Sequence, residues 1–418
     1  GLFLSASLFL AGCSSLPDKS QQVEAPKAKT VKKTIKKPVV KKTAEQQQTA
    51  NLWDDIVKGY GFPPVSDDMV RNNLRWLGNN QRYLDRVTEQ SRPYLHYVTT
   101  QLKANELPLE LALLPIVESA YDPFASSPSR ALGVWQFMPQ TARNFGLPQN
   151  HWYDGRRDIV ASTDAAVRYL KRLSTMFDGD WFLVIAAYNA GEGTVRRAID
   201  KNRQQGKAAD FWSLPLSQQT RSYVPQLVAL SKVIANPAKY DLELAAIPNS
   251  PYFTTINVSS PIDLAQAARM ADMNPKELRN LNAGYNRWIT NPSGPHKLLV
   301  PVADAAQFTL VLDKLPQIKP IQVAGDYKVK SGDTLGGLAK RFGTSVAAIQ
   351  AANNMKSTNL RVGQSLSIPG QAPVDSAYAL QAEQDIAQAR NKNAGRLYTV
   401  KSGDSFWTIA KNNGTSVK

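Results

Sequence analysis

The chain of 418 residues has one cysteine, Cys13, and three histidines, His96, His151 and His296. A single cysteine excludes an intrachain disulfide, and histidines so far apart form no metal-ligand spacing. No serine stands in a nucleophile motif with a histidine partner, and no glycine loop has the spacing that cradles phosphate. No metal and no cofactor are expected. The apolar run at residues 1–10 is too short to span a bilayer. Residues 14–50 have almost no aromatics and are rich in lysine, with Pro26, Pro38 and three successive glutamines. That composition cannot bury a core and reads as a disordered basic linker.

The chain is too long for one ordinary core, so two or more domains are expected. Leu10-Ala11-Gly12-Cys13-Ser14 resembles a bacterial lipobox. In that motif the cysteine becomes the lipidated first residue of the mature protein. Residues 1–13 then read as a signal-peptide remnant ending in a lipobox. Ser14 resembles the outer-membrane sorting pattern. Much of the net charge of +16 sits in the linker. Such a charge run suggests nucleic acid, but a lipidated tail lies outside the cytoplasm, so no nucleic acid is expected. Two readings stay open: a tether beside anionic lipid or cell-wall carboxylates, and a plain solvated spacer.

The stretch at residues 109–141 organises the rest. Pro108 suits the first turn of a helix, and the spacing predicts a helix over residues 109–119 that Pro123 forbids from continuing. Leu111, Leu114, Pro115 and Glu118 then share one face. A carboxyl on an apolar stripe resists ionising, which is what a general acid needs near neutral pH. The plain alternative is a carboxylate at a helix end with its head in water. Around this stretch, residues 69–77 and 82–102 read as amphipathic helices. Residues 163–177, 181–188 and 219–233 read as further helices, with Asn189 to Gly193 a glycine-containing turn.

Four motifs follow in order: Glu118-Ser119, the run Gly133-Val134-Trp135-Gln136-Phe137-Met138-Pro139, Ala187-Tyr188-Asn189-Ala190-Gly191, and Thr220-Arg221-Ser222-Tyr223-Val224. Together they resemble the soluble-lytic-transglycosylase family, glycoside hydrolase family 23, with its goose-lysozyme-like fold. The resemblance implies Glu118 as the catalytic acid. It implies substrate contacts from Ser127, Ser129, Gln136, Met138, Tyr188, Asn189 and Tyr223. For Ser127 and Ser129 ordinary turn chemistry is the alternative. The family uses one carboxyl where most glycosidases use two. The muramic acid N-acetyl group stabilises the cationic centre and the sugar's own 6-hydroxyl closes a 1,6-anhydro ring. Asp122 and Glu192 are the other carboxyls weighed, and neither has a reason to stand across the groove.

Residues 327–369 open on a short strand, Ser331-Gly332-Asp333-Thr334 as turn and helix cap, two helices and a closing strand. This βααβ pattern resembles a LysM module, which implies glycan binding through Gly332, Asp333 and Thr334. The signature recurs at residues 398–405, in a copy incomplete at Lys418. A third, degenerate copy is predicted between Phe253 and Pro301. Leu335 is followed at +14 by Ile349 and at +18 by Asn353, and Leu264 likewise by Leu278 and Asn282. Ile256 and Val258 stand where Tyr327 and Val329 stand. Ser260-Pro261-Ile262-Asp263 replaces the glycine turn, and three extra residues precede the closing strand. Two helices near Leu264 to Met270 and Pro275 to Leu281 are expected, with strands near Ile256 and Leu299 pairing antiparallel.

The expected fold class is multidomain α+β: a mostly α, lysozyme-like catalytic domain followed by small βααβ LysM modules. The boundaries are 1–13 leader and lipobox, 14–50 linker, 51–245 catalytic domain and 253–303 degenerate module. Then come 325–370 LysM module, 371–396 linker and 397–418 incomplete copy. The expected protein is a monomeric murein lytic transglycosylase, lipid-anchored through Cys13 to the outer membrane and facing the periplasm. Its partners are peptidoglycan glycan strands. The alternatives are a lysozyme-type hydrolase and a non-catalytic peptidoglycan-binding scaffold.

Overall fold

The computed structural model describes residues 50–368, apart from 151, 292–296, 313, 316–325, 343, 345, 354 and 356. Cys13, most of the basic linker, residues 371–418, His151 and His296 lie outside the described residues.

Among the described residues ten α-helices build the first unit: α1 (Leu52–Lys58), α2 (Asp68–Gly78), α3 (Gln81–Ser91), α4 (Leu95–Ala104), α5 (Leu114–Ser119), α6 (Pro139–Asn144), α7 (Ile159–Met176), α8 (Trp181–Ala190), α9 (Glu192–Gln204) and α10 (Gln218–Ala235). Side chains that accept backbone N–H groups fix several starts: Asp67 at α2, Asp158 at α7, Asp180 at α8 and Ser217 at α10. Residues 182–187 of α8 are all buried, which makes it a central helix rather than an amphipathic surface one. α10 packs against both α2 and α8. No helix among the described residues is long and apolar enough to cross a membrane.

Three local expectations are corrected. Residues 82–102 are not one helix: Pro93 lacks the N–H that continues the ladder, so the chain turns at residues 92–94 and restarts as α4. Residues 109–119 are not one α-helix either. A 3₁₀ stretch, Leu109–Leu113, precedes α5, and Pro115 in the first turn of α5 cannot donate back to Leu111. Glu192 does not sit in a glycine turn. It opens α9, and Gly191 at φ 84° makes the bend after α8.

The second unit contains β1 (Phe253–Asn257), α11 (Leu264–Met270), α12 (Pro275–Leu281), β2 (Lys297–Pro301) and α13 (Ala305–Leu312). β1 and β2 pair antiparallel from Phe253↔Pro301 to Asn257↔Lys297, the pairing that the leucine register predicts. α13 adds Phe308 and Val311 to the core of Leu264, Leu278, Leu298 and Val300, so the unit runs past residue 303. Leu281 and Leu299 join the core of the first unit instead. The third unit repeats the order as β3 (Asp326–Lys328), α14 (Leu335–Arg341), α15 (Val346–Ala352) and β4 (Ser365–Ser367), with Tyr327 opposite Leu366.

Candidate active site

α5 ends at Ser119, one residue past Glu118, because the next residues leave the helical region. Ala120 and Tyr121 take φ of 51° and 60°, and their N–H groups return to the carbonyls of Ile116 and Pro115. Left-handed backbone at two non-glycine residues is costly and persists only where the surroundings hold it. Tyr121 is fully buried, stacks on Tyr94 at 6.3 Å, and donates its hydroxyl to the carbonyl of Ala112 at 2.7 Å. Ser119 donates to the carbonyl of Val134 at 2.9 Å and so ties the helix end to the glycine-opened loop.

Glu118 accepts a hydrogen bond from the hydroxyl of Tyr223 on α10. Burial pushes its carboxyl up to about 7, against the opposing effect of that hydrogen bond. Tyr223 is buried, and its own hydroxyl is raised well above the ordinary range by burial and by Glu118. Tyr188 responds in the same way to burial and then to Glu118, and it donates to the carbonyl of Trp135 at 2.8 Å. α5, α8 and α10 thus bring one carboxyl and two tyrosines together.

The loop at residues 122–138 is braced from behind. Trp135 is fully buried and donates Nε1 to Thr163 Oγ1 at 2.9 Å. Gly133 has φ 79°, and a Cβ there would lie 2.0 Å from the carbonyl oxygen of Arg156. Arg156 in turn forms a buried pair with Asp154 at 2.7 Å and donates to the carbonyl of Arg130 at 2.9 Å. Gln136 spends its side-chain N–H groups on the carbonyls of Gly133 (2.8 Å) and Ala125 (3.2 Å). Ser127 accepts from the N–H of Ala131 at 3.0 Å, so its hydroxyl closes the turn. Ser129 is exposed, Met138 is 42% exposed, and Asn189 is half-buried at the end of α8.

Asp122 and Glu192 are engaged elsewhere. Asp122 accepts from the N–H of Phe124 at 2.8 Å, and Glu192 pairs with Arg172. Sequence reasoning missed Glu110, which is 2% exposed and accepts from the N–H groups of Gly61 and Phe62 at 2.8–3.0 Å. Burial raises its carboxyl above the ordinary value despite those donors. Eight residues of 3₁₀ and α rise put it roughly 12–16 Å from Glu118 along the axis, beyond the roughly 5–9.5 Å of paired glycosidase carboxyls. In the third unit, Asp333 accepts from the N–H of Lys330 at 2.6 Å and from the hydroxyl of Tyr327 at 2.9 Å. Thr334 caps α14 by accepting from Gly337 at 3.0 Å. Both therefore shape the turn, with Gly332 at φ 89°.

Comparison with known proteins adds the following. The family described as Transglycosylase SLT domain matches residues 98–211. The family described as Lytic transglycosylase MltD, LysM-like domain, matches 252–317, and the LysM domain matches 327–369 and 398–418. The 70 kDa soluble lytic transglycosylase of Escherichia coli, a solved structure, is 24% identical over 44% of this chain and 32% of its own, with a TM-score of 0.31. That likeness is too slight to carry an argument. The membrane-bound lytic murein transglycosylases D of two Escherichia coli strains are each 36% identical to it over 99% of this chain and 92% of their own. An identity of that level over nearly all of this chain and most of the relative means that the chain belongs to the family of membrane-bound lytic murein transglycosylase D.

Proposed function

We propose that the protein is a peptidoglycan lytic transglycosylase that cleaves the β-1,4 bond between N-acetylmuramic acid and N-acetylglucosamine. The observation that carries this is Glu118, a single carboxyl that burial raises to about 7 and that Tyr223 holds, while Asp122, Glu192 and Glu110 are bonded elsewhere. Glu118 gives its proton to the glycosidic oxygen as the bond to C1 breaks. The carbonyl oxygen of the N-acetyl group stabilises the cation at C1. The 6-hydroxyl oxygen of the same sugar then bonds to C1, and its proton returns to Glu118. The products are a free 4-hydroxyl and a 1,6-anhydro ring, with no water consumed. Ser129, Met138, Tyr188 and Asn189 line the substrate path in this reading, and Ser127 and Gln136 shape it. The LysM units hold the enzyme to glycan through the turn at Gly332, Asp333 and Thr334. Cys13 carries the lipid that keeps the protein, as a monomer, on the periplasmic face of the outer membrane.

Glu118→Gln tests the reading directly. Turnover of purified murein falls about 10²–10⁴-fold, the usual contribution of a general acid, and the fold persists. Mass spectrometry of the wild-type digest finds anhydro ends; reducing ends, heavier by one water, would instead make the enzyme a hydrolase. The acid must be protonated to act, so kcat/KM is constant at low pH and falls as pH rises through about 7. A rate that climbs through neutrality would remove Glu118 from the role.

A further inference from the structure

A second opening adjoins the catalytic helix. Asn73 and Trp76 of α2, Tyr83 of α3, Val117 of α5 and Gln226 of α10 line a cavity of about 340 Å³. Two of its walls continue from the active site. Val117 directly precedes Glu118, and Gln226 stands three residues beyond Tyr223, the spacing of neighbours on one helix face. Apart from Val117, these residues lie outside the 98–211 segment matched by the SLT domain.

Trp76 is 51% exposed and Met138 is 42% exposed; they are the two large apolar side chains left open on the first unit among the described residues. A lone exposed apolar residue is ordinary. Trp76 differs in being fixed and in lining a concavity. Its ring meets Tyr83 edge-on at 5.1 Å and 70°, and the guanidinium of Arg86 lies 5.6 Å from the Tyr83 ring centre. Two amides share the cavity. Asn73 donates its N–H to the carbonyl of Met69 at 2.8 Å, which leaves its carbonyl oxygen as an acceptor, and Gln226 is exposed. A flat aromatic face beside a few amide groups suits a pyranose, whose C–H face is apolar and whose rim carries hydroxyl and acetamido groups.

We propose that Trp76, Tyr83, Asn73 and Gln226 form a saccharide subsite that holds a further N-acetylhexosamine of the same glycan strand, beyond the two sugars that flank the bond presented to Glu118. The proposal rests on the reading of Glu118 as the acid that cleaves murein. Its contribution comes from remote binding, so it acts on strands long enough to reach Trp76 and not on shorter ones.

The test uses the full chain with Trp76→Ala and Trp76→Tyr. On long, peptide-free glycan strands Trp76→Ala raises KM about tenfold, as loss of one aromatic anchor does, and kcat stays within about twofold. Trp76→Tyr recovers most of the loss, and the shortest cleavable oligosaccharide shows no change. In the Glu118→Gln background, chitotetraose shifts the indole N–H resonance of Trp76, identified by its absence in Trp76→Tyr. An unchanged KM on long strands, an unmoved indole resonance, or an equal loss on long and short substrates overturns the subsite. If Glu118→Gln abolishes turnover and Trp76→Ala does nothing, only the subsite falls. If Glu118→Gln stays active, the catalytic reading falls first.

Discussion

In the second unit, Asn282 donates its side-chain amide to the carbonyls of Leu278 (2.9 Å) and Leu299 (2.7 Å) and accepts the N–H of Leu299 at 2.9 Å. In the third, Asn353 donates to Ile349 and Ser367, both at 2.7 Å, and accepts the N–H of Ser367 at 2.8 Å. One asparagine, eighteen residues after the first helical leucine, ties the closing strand to the second helix in both. The caps correspond as well, Asp263 accepting from Gln266 and Thr334 from Gly337. What differs is the setting. The second unit puts Leu281 and Leu299 into the main core and exchanges backbone bonds with residues 152–154 through Asn286 and Gly284, both at 2.8 Å. Tyr94 also donates to the carbonyl of Asn280 at 3.1 Å. Among the described residues the third unit has a buried cluster of its own, built on Val329, Leu335, Leu338, Ile349 and Leu366. The βααβ closure is thus a local property of the chain, and docking is decided separately, by Asn280 and Leu281 at the end of α12, Leu299 on β2 and the loop residues Gly284 and Asn286.

The sharpest way to break this comparison is to remove the clasp from both units. Asn353→Ala leaves the N–H and carbonyl of Ser367 without partners, a loss of about 2–3 kcal/mol. A unit near forty residues has only a few kcal/mol to lose, so residues 327–368 unfold and become open to proteases. Asn282→Ala loses as much locally, but the docked unit keeps its shared core and stays resistant. Limited proteolysis with mass mapping reads both variants. Equal opening of the two units would show that docking adds nothing.

A pair of glycine substitutions gives a smaller effect with opposite signs. A Cβ at Gly284 would lie 2.7 Å from the Tyr153 ring and 3.0 Å from Asp158 Cβ, at the seam with the first unit. Gly284→Ala overpacks that seam and costs about 1–3 kcal/mol, seen as a lower melting temperature. At Gly336, inside α14, a Cβ meets nothing within 4 Å. Gly336→Ala therefore stabilises its helix by about 0.5–1 kcal/mol. If both substitutions shift stability the same way, the seam is not where Gly284 places it.

The register of Leu264, Leu278 and Asn282 was readable because a module closes with partners a fixed count apart. The setting of Glu118 was readable in part, since Leu114 and Pro115 stand four and three residues before it on α5, whereas Leu111 belongs to the 3₁₀ stretch and not to that helix. Tyr223 was not readable from spacing, being 105 residues from Glu118; only the ordered motifs pointed to it. Nothing local announced that Glu110 would be held by Gly61 and Phe62, or that Arg156 would brace the carbonyl of Arg130. Such pairs have no period, because the fold alone brings their segments together. Gln136 shows the remaining gap. Its motif position implied substrate contact, and it did not announce that the amide N–H groups also hold their own loop.

The smallest expected difference between the two units is in acid. Asp333 takes the N–H of Lys330 and the hydroxyl of Tyr327, and these donors, with Arg341, hold its carboxyl below the ordinary aspartate value. Where the register puts Asp333 in the third unit, the second has Ile262. The unfolded chain binds a proton at Asp333 more readily than the folded unit does, so this contribution rises with pH in the acid range. It is present in full above the unfolded aspartate value of about 3.9 and is lost as pH falls through the lower folded value. Amide resonances of residues 326–368 should therefore show an acid-linked loss of stability that Asp333→Asn flattens. The group is open to solvent, so the effect is modest, and salt should weaken the part that comes from Arg341. An acid profile unchanged by Asp333→Asn would assign the titration to another carboxyl, and the turn at Gly332 would then be held by its backbone geometry and the Thr334 cap alone.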